Sequence, residues 1–193
     1  MIVDLIRHGE PVGGRGYRGH SVDDPLSETG WQQMSDALKG SSGWSGIVSS
    51  PLKRCSAFAD ELASMHDLKV TIEDRFKEVG FGRWEGLSPD EVIAHWPEEY
   101  ADFYKDPVNF RPEGAESLQA FYQRVSDGLD ALSSRPEEHL LLIAHAGVIR
   151  AAIAKAAGAA PGTMYRYKIP YAGITRLRFD EKGWFVEFVN GRP

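Results

Sequence analysis

The sequence has few of the features that mark several classes of protein. Its 193 residues include one cysteine, Cys55, so no disulfide can form within the chain and no cysteine cluster can bind zinc. No stretch approaches the roughly 18 consecutive apolar residues of a membrane-spanning helix. The first residues lack the basic segment and long apolar run of a signal peptide. We therefore expect no membrane association and a location in the cytoplasm, where thiols stay reduced.

Positive charge is also scarce. The chain has 22 lysines and arginines against 28 acidic residues, a net charge of -6. Proteins that bind duplex nucleic acid usually present a basic face, so the balance argues against a nucleic-acid partner. The six histidines do not follow the spacings H-x-H, H-x-x-x-H or H-x-x-E-H. We therefore expect neither a metal site nor a metal cofactor.

The apolar pattern predicts a globular α/β protein. Hydrophobic residues make up 42% of the chain and aromatic residues 11%, enough for a substantial core. Short apolar runs typical of buried strands alternate with segments in which apolar residues recur every three or four positions. This alternation predicts a three-layer α/β/α sandwich with a mostly parallel central sheet. The predicted strands are 2–6, 46–49, 70–72 and 140–144.

Helices are predicted at 28–39, 52–65, 117–132 and 146–157. Alternating polar and apolar residues at 173–179 and 184–189 predict a terminal hairpin. Residues 76–115 contain four prolines among aromatic and polar residues. We interpret this segment as an insertion of short helices and loops within a single domain, 1–193.

A histidine follows each of two predicted strands. His8 follows the strand 2–6 after one residue, Arg7, and His145 directly follows the strand 140–144. Because ligands of open α/β sheets bind beyond the carboxyl ends of the strands, both histidines should face one crevice. Arg54, in the first turn after the strand 46–49, should reach the same edge. A cluster of Arg7, His8, Arg54 and His145 predicts a bound anion, and arginine suits the oxygens of phosphate.

This cluster has the components of phosphoryl-transfer chemistry. An imidazole can attack phosphorus to form a phosphohistidine, and the remaining cationic groups can neutralise the transferring phosphoryl oxygens. The leaving alcohol then needs a proton. We assign that role to Glu78, which lies in a segment rich in glycine and aromatic residues, with Glu10, Glu85 and Glu116 as competing carboxylates.

The segment Arg7-His8-Gly9-Glu10 resembles the signature of the histidine phosphatase superfamily, also called phosphoglycerate mutase-like. Further segments are similar to motifs of that family and occur in the family's order along nearly the whole chain. They are Asp24-Pro25-Leu26-Ser27-Glu28-Thr29-Gly30, Ser49-Ser50-Pro51-Leu52-Lys53-Arg54, Glu78 to Gly86, Glu116-Ser117-Leu118 and His145 to Arg150.

The resemblance implies a phosphoglycerate mutase-like fold with His8 as the nucleophile. It also implies Arg7, Arg54 and His145 as phosphate ligands, Glu78 as the proton donor, and no metal or organic cofactor. We assign substrate contacts to residues of the loop after the first strand and of the second histidine motif. These residues are Glu10, Tyr17, Arg18, Gly19, Ala146 and Gly147.

Tyr17-Arg18-Gly19-His20 and Glu116 to Val125 look most like the α-ribazole phosphatase branch. We therefore predict a hydrolase that acts through a phosphohistidine on a small phosphomonoester, with α-ribazole 5'-phosphate as the candidate substrate. The alternatives are a phosphoglycerate mutase, a broad-specificity sugar-phosphate phosphatase and a non-catalytic phosphate-binding regulator. The chain departs from the family at Pro11 and Gly14, which usually are threonine or serine and asparagine. The expected oligomeric state is a monomer or a homodimer.

Overall fold

A computed structural model describes residues 1–192. One sheet of six strands lies at its centre, in the order β3-β2-β4-β1-β5-β6. β1, β2, β3 and β4 are parallel, whereas β5 pairs antiparallel with β1 and with β6. The predicted mostly parallel sheet is therefore confirmed. The strands are β1 (Ile2–Arg7), β2 (Gly46–Ser49), β3 (Val70–Ile72), β4 (His139–Ala144), β5 (Ile174–Asp180) and β6 (Gly183–Gly191).

Helices connect the parallel strands. Ser27 caps α1, because its hydroxyl accepts a hydrogen bond from the amide of Gly30, and Ser117 caps α5 through the amide of Ala120 in the same way. Three 3₁₀ segments lie at Asp74–Phe76, Gly82–Trp84 and Pro161–Arg166. The α-helices are α1 (Glu28–Leu38), α2 (Lys53–His66), α3 (Pro89–His95), α4 (Pro97–Lys105), α5 (Leu118–Ser133) and α6 (Ala146–Ala156).

Alternate residues of the strands pack on opposite faces of the sheet. Val3 and Leu5 of β1 belong to the core cluster that contains the buried side chains of α5 and α6. Ile6 belongs to a second cluster, which contains those of α1 and α2. Helices therefore cover both faces, and the predicted three-layer sandwich is confirmed.

Residues 76–115 join β3 to α5 and contain α3, α4 and the 3₁₀ segment at 82–84. They have a small core of their own, formed by Trp84, Val92 and Phe103. The single-domain organisation with an insertion at 76–115 remains a prediction. No helix within residues 1–192 is long and apolar enough to cross a membrane.

One boundary near the site differs from the sequence-based prediction. The predicted helix 52–65 begins one residue later, because α2 starts at Lys53 with Leu52 as its cap. Pro51 and Leu52 instead extend the turn after β2, where Ser50 accepts a hydrogen bond from the amide of Leu52. Arg54 still lies in the first turn of α2, and its side chain is only 1% exposed.

Asp4 is a buried acid in the middle of β1. Its carboxylate accepts two hydrogen bonds from Arg176 of β5, at 2.7 and 3.0 Å. Trp44 and His139 each contribute one more, at 2.9 and 2.8 Å. Burial alone would raise the pKa of Asp4, but these bonds and the charge of Arg176 outweigh it and lower the pKa. Asp4 thus joins three neighbouring strands to the turn before β2.

We predict that Asp4→Ala lowers the free energy of unfolding by about 3 kcal/mol, because it leaves Arg176 and Trp44 without their buried acceptor. Urea unfolding followed by circular dichroism measures the change. Asp36→Ala, which removes an exposed acid of α1, is the control and should leave the unfolding midpoint unchanged. Equal midpoints for both variants would contradict this role of Asp4.

Candidate active site

The two histidines after β1 and β4 meet at one edge of the sheet. β1 and β4 are parallel neighbours with Arg7 opposite Ala144, and the amide of His8 donates to the carbonyl of Ala144 over 2.9 Å. The ring centroids of His8 and His145 lie 5.2 Å apart in an edge-on arrangement. The strand register therefore brings together two residues that are far apart in sequence.

The local hydrogen bond of His8 defines which of its ring nitrogens can attack. Nδ1 lies 2.7 Å from the carbonyl oxygen of Gly9. Because that oxygen can only accept, Nδ1 must carry the proton and Nε2 keeps its lone pair. Burial, followed by the charges of Arg54 and Arg7, lowers the pKa of His8 well below its usual value. His8 is therefore a neutral imidazole with a free Nε2.

Two arginines flank His8. Arg7 donates to the carbonyl of Ile169 over 2.6 Å, and its guanidinium lies 4.1 Å from the ring centre of Tyr171. Arg54 donates to the carbonyls of Gly19 and Val22, at 2.8 and 3.0 Å. These acceptors are neutral carbonyls, and neither arginine forms an ion pair within residues 1–192. The Nε of each is buried and has no hydrogen-bond partner among residues 1–192, as expected of donors that bind an anion.

His145 is held from the side of the sheet that α2 covers. Its Nε2 lies 2.7 Å from the hydroxyl of Ser50, and the thiol of Cys55 lies 3.7 Å from the same nitrogen. Burial and the charge of Arg54 lower the pKa of His145 well below its usual value. Burial also raises the pKa of the Cys55 thiol to about 12, so Cys55 is a protonated packing residue, not a nucleophile.

The carboxylate of Glu78 lies beside the beginning of α6. It accepts hydrogen bonds from the amides of Val79 and Gly147, at 2.9 and 3.3 Å. A Cβ atom at position 147 would collide with this carboxylate, so the close approach requires glycine there. The second histidine motif thus supplies both His145 and the contact that orients Glu78.

A cavity of about 240 Å³ lies at this edge of the sheet, and His145, which is fully buried, does not line it. Tyr17, Arg18, Gly19 and Ala146 line it, as do Arg7, His8, Arg54 and Glu78. Gly147 contacts Glu78 without lining the cavity. Glu10 does not line it either: its backbone binds Gln33 and Ser27 of the α1 region. Gly14, at the position of the family's asparagine, is also outside the wall, whereas Arg18 lies within it.

Several wall residues were not predicted from the sequence. Tyr171 and Arg150 approach from the C-terminal part of the chain, and Tyr104, Phe81 and Pro89 come from the insertion. Arg150 and Phe81 lie in segments that resemble family motifs, but no residue of this group has a spacing that indicates its position. Arg15, in the loop after β1, is exposed and also lines the cavity. No cluster of His, Cys, Asp or Glu within residues 1–192 has the geometry of a metal site.

Comparison with known protein families identifies the family of the chain. The family model described as "Histidine phosphatase superfamily (branch 1)" matches residues 3–192. The chain belongs to the histidine phosphatase superfamily. This membership confirms the resemblance noted from the motifs. It also supports the predicted class of enzyme, a phosphatase.

Relatives within the superfamily carry different phosphatase names. Phosphoserine phosphatase 1 of Hydrogenobacter thermophilus is 30% identical over 185 residues, 92% of this chain and 86% of that protein. The crystal structure of the alpha-ribazole phosphatase from Shigella flexneri superposes with a TM-score of 0.84 at 28% identity. It covers 100% of this chain and 97% of that one.

A bifunctional protein of Mycobacterium tuberculosis is 30% identical over 184 residues, 93% of this chain but 50% of that protein. The chain thus spans about half the length of the mycobacterial relatives it matches.

The buried histidines of this superfamily member make its stability depend on pH. In the folded chain His8 and His145 stay neutral below their ordinary pKa of 6.5, whereas in the unfolded chain both take up a proton. The unfolded state therefore binds more protons as the pH falls. We predict that each histidine lowers the free energy of unfolding by about 1.4 kcal/mol per pH unit below about pH 6.5.

Urea unfolding of the wild type and of His8→Asn at several pH values between about 7 and 5 tests this. In the variant, the free energy of unfolding should fall less steeply with decreasing pH, because only the contribution of His145 remains. Parallel curves for the two proteins would show that His8 is not a neutral buried imidazole.

Proposed function

We propose that the protein hydrolyses small phosphomonoesters through a phosphohistidine on His8. The observation that carries the proposal is the hydrogen bond from Nδ1 of His8 to Gly9, which leaves Nε2 without a proton in a cavity that Arg7 and Arg54 also line. The arginines attract a phosphate dianion, and the neutral imidazole beside them can attack its phosphorus. The relatives named as phosphatases and the family membership support the same reaction.

In the first half-reaction, Nε2 of His8 attacks phosphorus and the bond to the ester oxygen breaks. Arg7 and Arg54 neutralise the phosphoryl oxygens, and His145 lies beside them at the same strand edge. The protonated carboxyl of Glu78 gives its proton to the departing oxygen, so that an alcohol leaves and Glu78 becomes a carboxylate.

In the second half-reaction, water attacks the phosphorus of the phosphohistidine. The Glu78 carboxylate takes a proton from this water, the bond between phosphorus and Nε2 breaks, and inorganic phosphate forms. His8 returns to its neutral state and Glu78 to its protonated state. The cycle consumes one ester and one water and releases one alcohol and one phosphate.

The aromatic side chains of the cavity wall support a leaving group that carries an aromatic base. Tyr17, Phe81, Tyr104 and Tyr171 line it, and the hydroxyls of Tyr17 and Tyr104 lie 2.8 Å apart. This bond joins the loop after β1 to α4 of the insertion. Aromatic walls suit a flat base, and the likeness to the Shigella flexneri enzyme points the same way. We therefore propose α-ribazole 5'-phosphate as the candidate substrate.

The nucleophile is tested with p-nitrophenyl phosphate. His8→Ala should lower kcat/KM by about 10⁴-fold or more, because no other group can form the phosphoenzyme. His66→Ala, which truncates an exposed histidine at the end of α2, is the matched control and should keep the wild-type rate. Near-normal turnover by His8→Ala would exclude the mechanism. Tight phosphate binding by a wild-type protein without turnover would favour the non-catalytic regulator.

The substrate is tested with a panel of α-ribazole 5'-phosphate, phosphoserine, 3-phosphoglycerate and sugar phosphates. We expect the highest kcat/KM for α-ribazole 5'-phosphate. Tyr104→Ala should raise its KM roughly tenfold through the loss of stacking, whereas Tyr104→Phe keeps the ring and should change it little. Preference for phosphoserine, or an equal effect of Tyr104→Ala on every substrate, would contradict the assignment. Isomerisation of 3-phosphoglycerate with little phosphate release would indicate a mutase.

A further inference from the structure

The proton donor of the proposed mechanism lies on backbone that is neither helix nor strand. The 3₁₀ segment Asp74–Phe76 ends before Glu78, and the next begins at Gly82. The bonds from Val79 and Gly147 hold the Glu78 carboxylate, but they do not fix the chain that carries it. The position of this carboxyl group therefore depends on what binds the backbone of residues 75–78.

The guanidinium of Arg124 on α5 binds this backbone at three carbonyls, and Nδ1 of His20 lies 3.2 Å from one of them, that of Glu78. The arginine's Nη1 donates to the carbonyls of Arg75 and Lys77, both at 2.8 Å. Its Nη2 donates to the carbonyl of Glu78 at 3.0 Å. The remaining two donors bind the carboxylate of Glu116: Nε to Oε1 at 2.7 Å and Nη2 to Oε2 at 2.9 Å. These contacts use all five N–H groups of an arginine side chain.

Glu116 connects this arginine to the other side of the same segment. Its Oε2 also accepts from the amide of Gly80 at 3.1 Å, and its own amide donates to the carbonyl of Gly80 at 3.1 Å. Burial would raise the pKa of Glu116, but the hydrogen bonds and charge of Arg124 outweigh it and lower the pKa. Glu116 is thus an ionised partner that orients the guanidinium plane.

We propose that Arg124, oriented by Glu116, is a positioning residue that holds Glu78 in place for proton transfer to the leaving oxygen. This inference rests on the proposed function, in which Glu78 is the proton donor. Neither Arg124 nor Glu116 lines the cavity, so neither touches the phosphate. The bonds that hold His8, Arg7 and Arg54 come from Gly9, Ile169, Gly19 and Val22. Loss of the hydrogen bonds from Arg124 should therefore affect protonation of the leaving group more than it affects phosphate binding or the attack of His8.

Because only protonation of the leaving group should suffer, esters whose leaving groups differ in their need for a proton test the proposal. p-Nitrophenolate leaves readily without a proton, whereas the phenolate of phenyl phosphate needs one, and the two esters have similar shapes. Arg124→Lys keeps the charge but cannot reach three carbonyls and a carboxylate at once. We expect it to lower kcat/KM about threefold for p-nitrophenyl phosphate and about 30-fold for phenyl phosphate, within the range of general acid catalysis.

Arg135→Lys is the matched control. Arg135 also forms a two-point ion pair, with Glu137, and the exposure of the two side chains, 25% and 23%, is close to the 23% and 17% of Arg124 and Glu116. Arg135→Lys should keep the wild-type ratio of kcat/KM between the two substrates. An equal loss on both esters for Arg124→Lys would overturn the positioning role, since that pattern is expected of general damage to the fold.

Two further variants separate this inference from the proposed function. Glu78→Gln should steepen the leaving-group dependence more than Arg124→Lys does. If Glu78→Gln does not steepen it while His8→Ala is inactive, the donor assignment itself is wrong. If Arg124→Lys does not fold, Glu116→Gln keeps an acceptor for the arginine at nearly the same shape and should show the same preference for p-nitrophenyl phosphate to a smaller degree. Its failure to do so would overturn the proposal.

Discussion

The hydrogen bond from Nδ1 of His8 to the carbonyl of Gly9 is the contact on which the proposed chemistry depends. It is short, 2.7 Å, and it leaves Nε2 as the only ring nitrogen that can attack. The surroundings keep the ring neutral, because burial and two neighbouring arginines disfavour a second proton. The pairing of β1 with β4 sets His8 beside His145, and the turn after β2 brings Arg54 to the same edge.

The charge of the cavity wall is opposite in sign to the net charge of the chain. The chain has a net charge of -6, yet five arginines and one acidic side chain line the cavity: Arg7, Arg15, Arg18, Arg54, Arg150 and Glu78. Asp24 pairs with Arg18, whereas Arg7, Arg54 and Arg150 donate only to backbone carbonyls. An acidic surface repels large polyanions while the pocket attracts one small anion. This contrast fits a small phosphomonoester better than a nucleic acid.

The sequence predicts those parts of the site that follow directly from strand ends. The apolar runs ending at Ile6 and Ala144 are sufficient to predict that His8 and His145 converge, since parallel neighbours share an edge. Tyr171 and Arg150 could not be found in this way. Tyr171 reaches Arg7 because β5 is antiparallel to β1 and its preceding loop returns to the same edge, a consequence of topology and not of local pattern.

The segment Glu116 to Val125 contains Arg124, but the sequence does not predict what this arginine binds. The three carbonyls that it binds belong to the 3₁₀ segment Asp74–Phe76 and to the irregular residues after it, which Glu116 contacts at Gly80. Gly9 and Glu10 pack closely on Gly30, and the carbonyl of Glu10 accepts a hydrogen bond from Ser27, so the backbone of Glu10 contacts the α1 region. The substrate contact of Glu10 remains a prediction.

In the proposed mechanism, one nitrogen of one histidine carries the phosphoryl group. The wild-type protein would be mixed with α-ribazole 5'-phosphate or p-nitrophenyl phosphate, quenched in alkali within the first turnover, and digested. Tandem mass spectrometry and phosphorus NMR would then locate the modification. We expect phosphate on Nε2 of His8. Phosphate on Nδ1, on any other residue, or on none while turnover continues would contradict it.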